Sequence, residues 1–367
     1  MANISISDVS GVRTQSSLTK ILVSQEFWVT LAVVIMAIFL VFNTDVFDTW
    51  RNLRNSMQNM AFIGIIALGQ ICVIITAGID LSVGSVMAIG AVGTGLMMAD
   101  GDGIEVAFLG GMALSMAVGL FNGCLVAFVK LPPFVVTLGT LSICRTIAMA
   151  ATNNQLIYDF GPDEAELFNL GTGGIGSLFG HVPEPPKPDN AIPLYEKLLD
   201  TPIPFVVMIV LTVVLSYFLY MTRWGRHIFA VGGNEHAARL TGVPVAFIKI
   251  SAYVFCSATA GLSGILMMGW AGSLNNSIGT GYELRVIAAS VIGGANLMGG
   301  YASAFGGFIG SALLEILRNS LVLLRIDTNF HLGFVGLFII LAVLLERMRD
   351  SRISPAALVE LFVRSKR

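Results

Sequence analysis

The sequence predicts an all-α, polytopic membrane protein of about ten transmembrane helices, and three observations predict it. Hydrophobic residues make up 55% and charged residues 12% of the 367 positions, with a mean hydropathy of +0.81; in water-soluble domains charged residues run nearer a quarter. The apolar residues collect into runs that match the roughly 20 residues a bilayer core requires. Lys and Arg are concentrated in alternate gaps between those runs, as a fixed orientation across a membrane demands. The 40 Gly and 16 Met suit helices packed closely in lipid. A coiled coil, a disordered chain and a basic nucleic-acid binder are excluded, while the net charge of -2 decides nothing, because placement matters more than the sum.

Taken in order, residues 1–26 read as a polar cytoplasmic tail with no cleavable signal sequence. Spans are expected at 27–43, 57–77, 83–99, 105–129, 133–151, 204–221, 247–270, 284–299, 303–323 and 331–346, within a transmembrane domain of 27–346, and 347–367 reads as a second cytoplasmic tail. With the N-terminus inside, the inner segments hold Lys20, Lys130, Arg223, Arg226, Arg239, Lys249, Arg347 and Arg349, among others. The outer ones hold only Arg51, Arg54, Lys187, Lys197 and Arg325. An even number of spans returns the C-terminus to the same side. Two gaps are long. The outer one, 152–203, is rich in acid and proline (Asp159, Asp163, Glu164, Glu166, then PEPPKPDNAIP) and reads as a partly ordered cap. The inner one, 222–247, contains a short helix: Asn234 is a good N-cap, EHAARL are helix formers, Gly242 stops it and Pro244 follows.

Self-similarity yields one match. Gly78 to Gly90 (GIDLSVGSVMAIG) aligns without gaps on Gly281 to Gly293 (GYELRVIAASVIG), both reading G-x-[DE]-L-x-V and closing on I-G. The copies follow the second and seventh spans, so they lie in opposite orientations, and inverted repeats are a signature of transport folds with a pathway between the halves.

The candidate pathway residues are Asp80, Ser82, Asn122, Glu283 and Asn296. A carboxylate at the depth of Asp80 costs on the order of 3 kcal/mol unless paired or hydrated. Two roles stay open for it: facing a hydrated cavity in a broken helix, or capping the helix that starts near Ser82. Glu283 and Arg285 read more readily as rim or capping charges. Arg145 either pairs across the bundle, touches substrate or snorkels to a surface, the last being the cheapest. Gly171 to Gly176 fits G-x-G-x-x-G without the strand and helix a dinucleotide site needs, and Gly119/Gly123 and Gly306/Gly310 fit the small-residue packing spacing. Cys72, Cys124, Cys144 and Cys256 sit in apolar runs as small core residues, and the four histidines are scattered, so no metal centre is expected. No P-loop, H-E-x-x-H or G-x-S-x-G occurs, and enzymatic chemistry is not expected.

At TAGIDLSVGS, at GRHIFAVGGNEHAARLTGVPV and at VIGGANLMGGYASAFGG the chain resembles the permease subunits of the ribose, xylose, galactose and inositol family of ABC importers. The likeness covers about residues 50 to 350, with the three motifs in the family's order. More distantly it is similar to the ten-span permeases of vitamin B12 and iron-siderophore importers, whose A-x-x-L-G element resembles, with one residue's difference in spacing, the stretch from Ala238 through Leu240 to Gly242. The long 152–203 loop departs from the compact family pattern. The resemblance implies that Gly232 to Val245 is a cytoplasmic loop seated on an ATPase subunit, with Asn234, Glu235, Ala237, Ala238, Arg239, Leu240, Gly242 and Val243 as coupling residues. It also implies that ATP and Mg are held by that separate ATPase and no cofactor by this chain. A soluble periplasmic or extracellular binding protein, a second permease copy or paralogue and a bacterial inner-membrane location follow on the same ground.

The expected function is translocation of a monosaccharide or polyol in an ATP-driven importer. The alternative is an ion-coupled secondary transporter of a small polar solute, with Asp80, Glu283 and Arg145 as coupling charges. Cysteine labelling from each side of the membrane checks the orientation: Glu235→Cys is expected to react only from the cytoplasm and a cysteine between Pro183 and Pro188 only from outside. Outside labelling at position 235 overturns this topology.

Overall fold

The computed structural model describes residues 24–181, 192–275, 277–327 and scattered positions from 330 to 340. In chain order the helices are α1 (Gln25–Asn43), α2 (Trp50–Ile75), α3 (Val83–Ala99), α4 (Ile104–Cys124, prolonged by a π-helical turn, Leu125–Val129) and α5 (Pro133–Ala151). They continue with α6 (Glu164–Thr172), α7 (Leu194–Leu199), α8 (Ile203–Met221), α9 (Arg223–Gly233), α10 (Glu235–Leu240), α11 (Val245–Ala271), α12 (Tyr282–Ile292) and α13 (Ala304–Leu323). Seven of these, α1, α2, α4, α5, α8, α11 and α13, are long and apolar enough to cross a membrane. Among the described residues extended pairing is limited to two isolated bridges, Ile157 with Leu274 and Gly174 with Pro202. The expected tenth span, 331–346, falls mostly outside the described residues, as do most of the two tails and the Pro183 to Pro188 stretch.

The eighth expected span, 284–299, is corrected. Its helix, α12, has 11 residues, about 16 Å at 1.5 Å per residue, too short to cross a bilayer core. Gly293 ends it, and Gly294, Gly299 and Gly300 follow with positive φ, a conformation L-residues avoid. The remainder of the expected span is a loop that runs to Ser303.

The bundle is organised around α2 and α11. Every residue of α2 from Met60 to Ile75 is buried, which explains why the apolar run there has no polar face. α4 and α3 pack on α11, whereas α13 and α12 pack on α2, and the two pairs α3–α4 and α12–α13 are each in contact. Glycines set these approaches. A Cβ on Gly119 or Gly123 of α4 would come within 3 Å of α11 backbone. Gly306 and Gly310 of α13 leave equally little room against Gly293 and Ala289 of α12. Both small-residue spacings thus lie at helix contacts, where a missing side chain lets backbones touch.

Two non-helical segments enter the bundle from opposite ends and meet within it. At one end α2 stops at Ile75, whose carbonyl accepts from Gly300 N–H (2.9 Å), and Ala77 takes φ +60°, so the chain reverses through Gly78 to Ser82 before α3 begins. At the other end the segment from Gly272 to Gly281 leaves α11 and leads inward to α12. Gly84 in the first turn of α3 lies directly against Gly279, and a Cβ on either would overlap a carbonyl oxygen of the other. From this contact α3 runs toward the end where Gly95 meets Phe160 and Leu274. α12 runs the other way, toward Ile75 and Gly300.

The 152–203 segment holds α6, a 3-10 turn (Ile175–Phe179) and α7. Trp50 Nε1 and Arg54 Nε at the start of α2 both donate to the Asp200 carboxylate, at 2.7 and 3.0 Å, and Gln58 Nε2 donates to Gly171 O at 2.7 Å. This fastens the segment over one end of α2.

The Gly84 contact yields a stability prediction. Gly84→Ala is expected to cost about 1–3 kcal/mol through overpacking against fixed backbone, read as a lower thermal midpoint of the detergent-purified protein. Gly233→Ala, where an added Cβ meets open space, is expected to leave the midpoint unchanged or slightly higher.

Candidate functional site at the helix break

The segment between α2 and α3 carries Asp80 into the interior, where it is fully buried. Its backbone groups need partners there, and the Gln70 side-chain amide, its oxygen and nitrogen assigned so that donors face acceptors, supplies both: Nε2 donates to Asp80 O at 3.2 Å and Oε1 accepts from Asp80 N–H at 3.1 Å. Asp80 Oδ1 accepts from Ser82 N–H (2.8 Å) and from Ser82 Oγ (2.6 Å). Asn122 Nδ2 on α4 donates to Ser82 Oγ at 3.0 Å, and Thr140 Oγ1 on α5 donates to Asn122 Oδ1 at 2.6 Å. A continuous polar chain therefore links α2, the break, α4 and α5. Asp80 Oδ2 and the Tyr253 hydroxyl are buried with no hydrogen-bond partner among the described residues, and Tyr253 O–H stands where a Cβ on Gly78 would be 2.7 Å away.

Arg145 sits beside the meeting point of the two inward segments. Nη1 donates to Ile278 O at 2.7 Å and Nη2 to Gly84 O at 3.2 Å. The expectation that it snorkels to a surface is corrected: the non-helical backbone offers carbonyls at membrane depth, and bonding to them replaces hydration that lipid cannot give. Glu283, half-buried, lies close to Gly84 on the same side. Asn296 is elsewhere, in the 293–303 loop. Its Oδ1 accepts from Met298 N–H (2.8 Å) and its N–H donates to Tyr301 O (3.0 Å), so it shapes a turn. Of the five candidate pathway residues, the structure brings Asp80, Ser82 and Asn122 together, sets Glu283 near them at Gly84, and leaves Asn296 apart.

The loop between α8 and α11 contains the expected short helix, α10. Asn234 Oδ1 accepts from Ala237 N–H at 2.9 Å, Gly242 has φ +83°, and Val243 N–H donates to Ala238 O at 3.0 Å. The amphipathic α9 that precedes it, capped by Thr222 with Ile228 and Val231 turned inward, was not expected. The coupling residues expected on and beside α10 divide between two faces. Ala238 is buried at 4% exposure and Val243 packs against the core, whereas Leu240 is 76% exposed. Asn234, Ala237 and Gly242 are exposed with Leu240, and Arg239 stands at the edge.

Glu235 is turned toward α11. Its Oε2 accepts from Lys249 Nζ at 2.7 Å, and its Oε1 from Arg239 Nη2 at 3.2 Å. The Lys249 hydrogen bond, then the positive charges of Lys249 and Arg239, hold the Glu235 carboxyl below its ordinary range. This link is fully present above the ordinary carboxylate pKa and is lost as pH falls through the lowered one. Lys249 and Tyr253 are one turn apart on α11 and share a face. A cavity of about 340 Å³ opens between α10 and the break, lined by Thr76, Ala77, Gly78, Lys130, Glu235, Lys249 and Tyr253.

Chemically the site offers hydrogen-bond donors and acceptors and no nucleophile–base pair. Among the described residues no group of three His, Cys, Asp or Glu is placed to hold a metal ion. Gln70, Thr140, Tyr253 and Lys249 were absent from the sequence-derived candidates. Each is polar within an apolar run, and that was the signal available.

This geometry, a bundle of apolar spans with two broken segments meeting at a buried polar cluster, defines a polytopic membrane transport protein. Residues 52–343 match the family described as branched-chain amino acid transport system / permease component, and the chain belongs to that family. It is 36% identical to the ribose import permease protein RbsC of Escherichia coli K12 over 308 residues, 83% of this chain and 88% of that one. Identity is 30% to the D-allose transport system permease protein AlsC of the same organism over 316 residues (86% and 89%). It is 29% to the xylose transport system permease protein XylH of Haemophilus influenzae over 354 residues (85% and 93%). No solved structure matches the chain.

The Asp80 cluster predicts a split between two substitutions. Asp80→Asn keeps an acceptor for Ser82 and is expected to retain much of the transport activity. Asp80→Leu leaves buried Ser82 donors unsatisfied at about 1–3 kcal/mol each and is expected to abolish transport or assembly. Uptake together with the size-exclusion profile reads both, and complete loss in Asp80→Asn with normal membrane insertion would assign the function to the charge itself.

Proposed function

We propose that this chain is the membrane permease subunit of an ATP-driven importer and that it translocates a monosaccharide or polyol delivered by a soluble binding protein. The observation that carries this reading is the near end-to-end likeness to permeases named for ribose, allose and xylose. The sequence has no P-loop, so ATP and Mg belong to a separate ATPase subunit. Concentration of Lys and Arg in the α8–α11 loop supports placing α9 and α10 in the cytoplasm, where that ATPase works. Arg145 donates to two backbone carbonyls, which gives it a structural role at the meeting of the two segments that an ion-coupled mechanism does not require.

In this reading the exposed side of α10, with Ala237, Leu240 and Gly242, seats on the ATPase. Glu235 and Lys249 fasten α10 to α11, and Tyr253, one turn further along, touches the break at Gly78. Movement of α10 is thereby passed along α11 to the Asp80 segment. The reciprocal packing of α4 and α3 on α11 and of α13 and α12 on α2 supports the inverted repeat and a relation to the ten-span vitamin B12 permeases. So do the matched close contacts of Gly90 with Gly111 and of Gly293 with Gly306. A second permease copy completes the pathway. Along α5, Gly139, Ser142, Thr146 and Ala150 form an exposed row, a surface of small and polar groups suited to another helix rather than to lipid.

Uptake by proteoliposomes holding the permease, its ATPase and the binding protein tests the function. Uptake is expected to require ATP and to survive proton and sodium uncoupling, and ion-driven uptake without the ATPase overturns the reading. The α10 link gives a second test. Glu235→Lys and Lys249→Glu are each expected to lower uptake at least about fivefold, with the double exchange restoring about half or more, while Leu240→Asp is expected to abolish co-purification of the ATPase. If the exchange fails to restore uptake although the ATPase remains bound, Glu235 acts on the ATPase and not through α11.

A further inference from the structure

We infer that the groove between the π-helical end of α4 and the first turn of α11 is a binding site for one anionic phospholipid. The groove measures about 610 Å³, and its walls include Phe128, Phe247 and Ile250, with Lys130 and Arg239 at its rim. Phe128 and Phe247 are 66% and 64% exposed. Leu125–Val129 closes one candidate span and Val245 opens another, so the groove opens at the level where acyl chains give way to headgroups. An exposed aromatic wall below and cations above is the polarity profile of a phospholipid, read from tail to phosphate.

Charge supports the anionic class. Among the described residues lining this groove and the adjoining cavity, Glu235 is the one acidic group, and Lys249 and Arg239 already face it at 2.7 and 3.2 Å. Lys130 is exposed, and its positive charge also acts on Glu235. Three cations against one carboxylate leave an excess of positive charge. The start of α11 adds to it. Pro244 provides no side-chain cap, and the partial positive charge of a 27-residue helix faces the same groove. A protein partner is the poorer fit, because the apolar wall is formed by span surfaces and not by the exposed side of α10.

Native mass spectrometry of the detergent-purified permease, titrated with dioleoyl-phosphatidylglycerol or dioleoyl-phosphatidylcholine, tests the site. The wild type is expected to retain phosphatidylglycerol about tenfold more strongly than phosphatidylcholine. Lys130→Gln with Arg239→Gln is expected to bring the ratio below about threefold, whereas Lys130→Arg with Arg239→Lys, and Arg51→Gln at the opposite end, keep it. Should the double variant not purify as a single species, Lys130→Gln alone, at an exposed position, is expected to lower the ratio at least twofold. Equal retention of the two lipids by the wild type, or an unchanged ratio in the neutralised variants, overturns the proposal. An unchanged ratio with loss of the co-purifying ATPase assigns the groove to the ATPase contact.

Discussion

A backbone that leaves its helix inside a bilayer must find a partner for every exposed N–H and C=O, because lipid offers none. Most of what is distinctive in this protein follows from that requirement at two places, Thr76 to Ser82 and Gly272 to Gly281. Gln70 supplies an amide to both backbone groups of Asp80, Asp80 supplies a carboxylate oxygen to Ser82, and Arg145 supplies two donors to the carbonyls of Ile278 and Gly84. Each of these side chains is costly in an apolar span and is held in place by the irregular backbone it satisfies.

Close packing is the second consequence. Two broken segments can meet at the centre of a bundle only where side chains are absent, and Gly84 against Gly279 provides that room. The same device recurs where α4 meets α11 and where α13 meets α12. Glycine therefore serves here less as a flexible hinge than as a surface without a side chain. The left-handed residues after α12 are different, because there the φ value itself requires it.

The break is joined to the membrane surface through one face of α11. Lys249 answers Glu235 of α10, Tyr253 leans on Gly78, and the cavity between them touches both. Under the proposed function, in which ATP is hydrolysed on a separate subunit, only mechanical displacement can reach the pathway, and this face of α11 is the connection it would use. At the edge of the same corner the positive charge of Lys130 and Arg239 lies beside exposed phenylalanines, so the surfaces proposed for lipid and for the ATPase adjoin.

Composition and periodic apolar runs determined on their own that the chain is a helical membrane protein, because span length and hydropathy are imposed by bilayer thickness and need no tertiary partner. Local chemistry likewise made α10 legible, since an Asn cap, a Gly stop and a following Pro act within a few residues of one another. The first copy of the G-x-[DE]-L-x-V match fell on the break at Gly78 to Ser82 and the second on α12, just past the other inward segment, and Asp80, Ser82 and Asn122 were legible from their sequence context. Only the tertiary structure decided that α12 is half a span, that Arg145 binds carbonyls from two segments more than 60 and 130 residues away, that Ala238 faces inward while Leu240 faces out, and that Gln70 completes the break. These depend on which helices become neighbours and at what rotation. A single sequence does not contain that information in any local pattern, because an apolar span looks alike whether it faces lipid or protein.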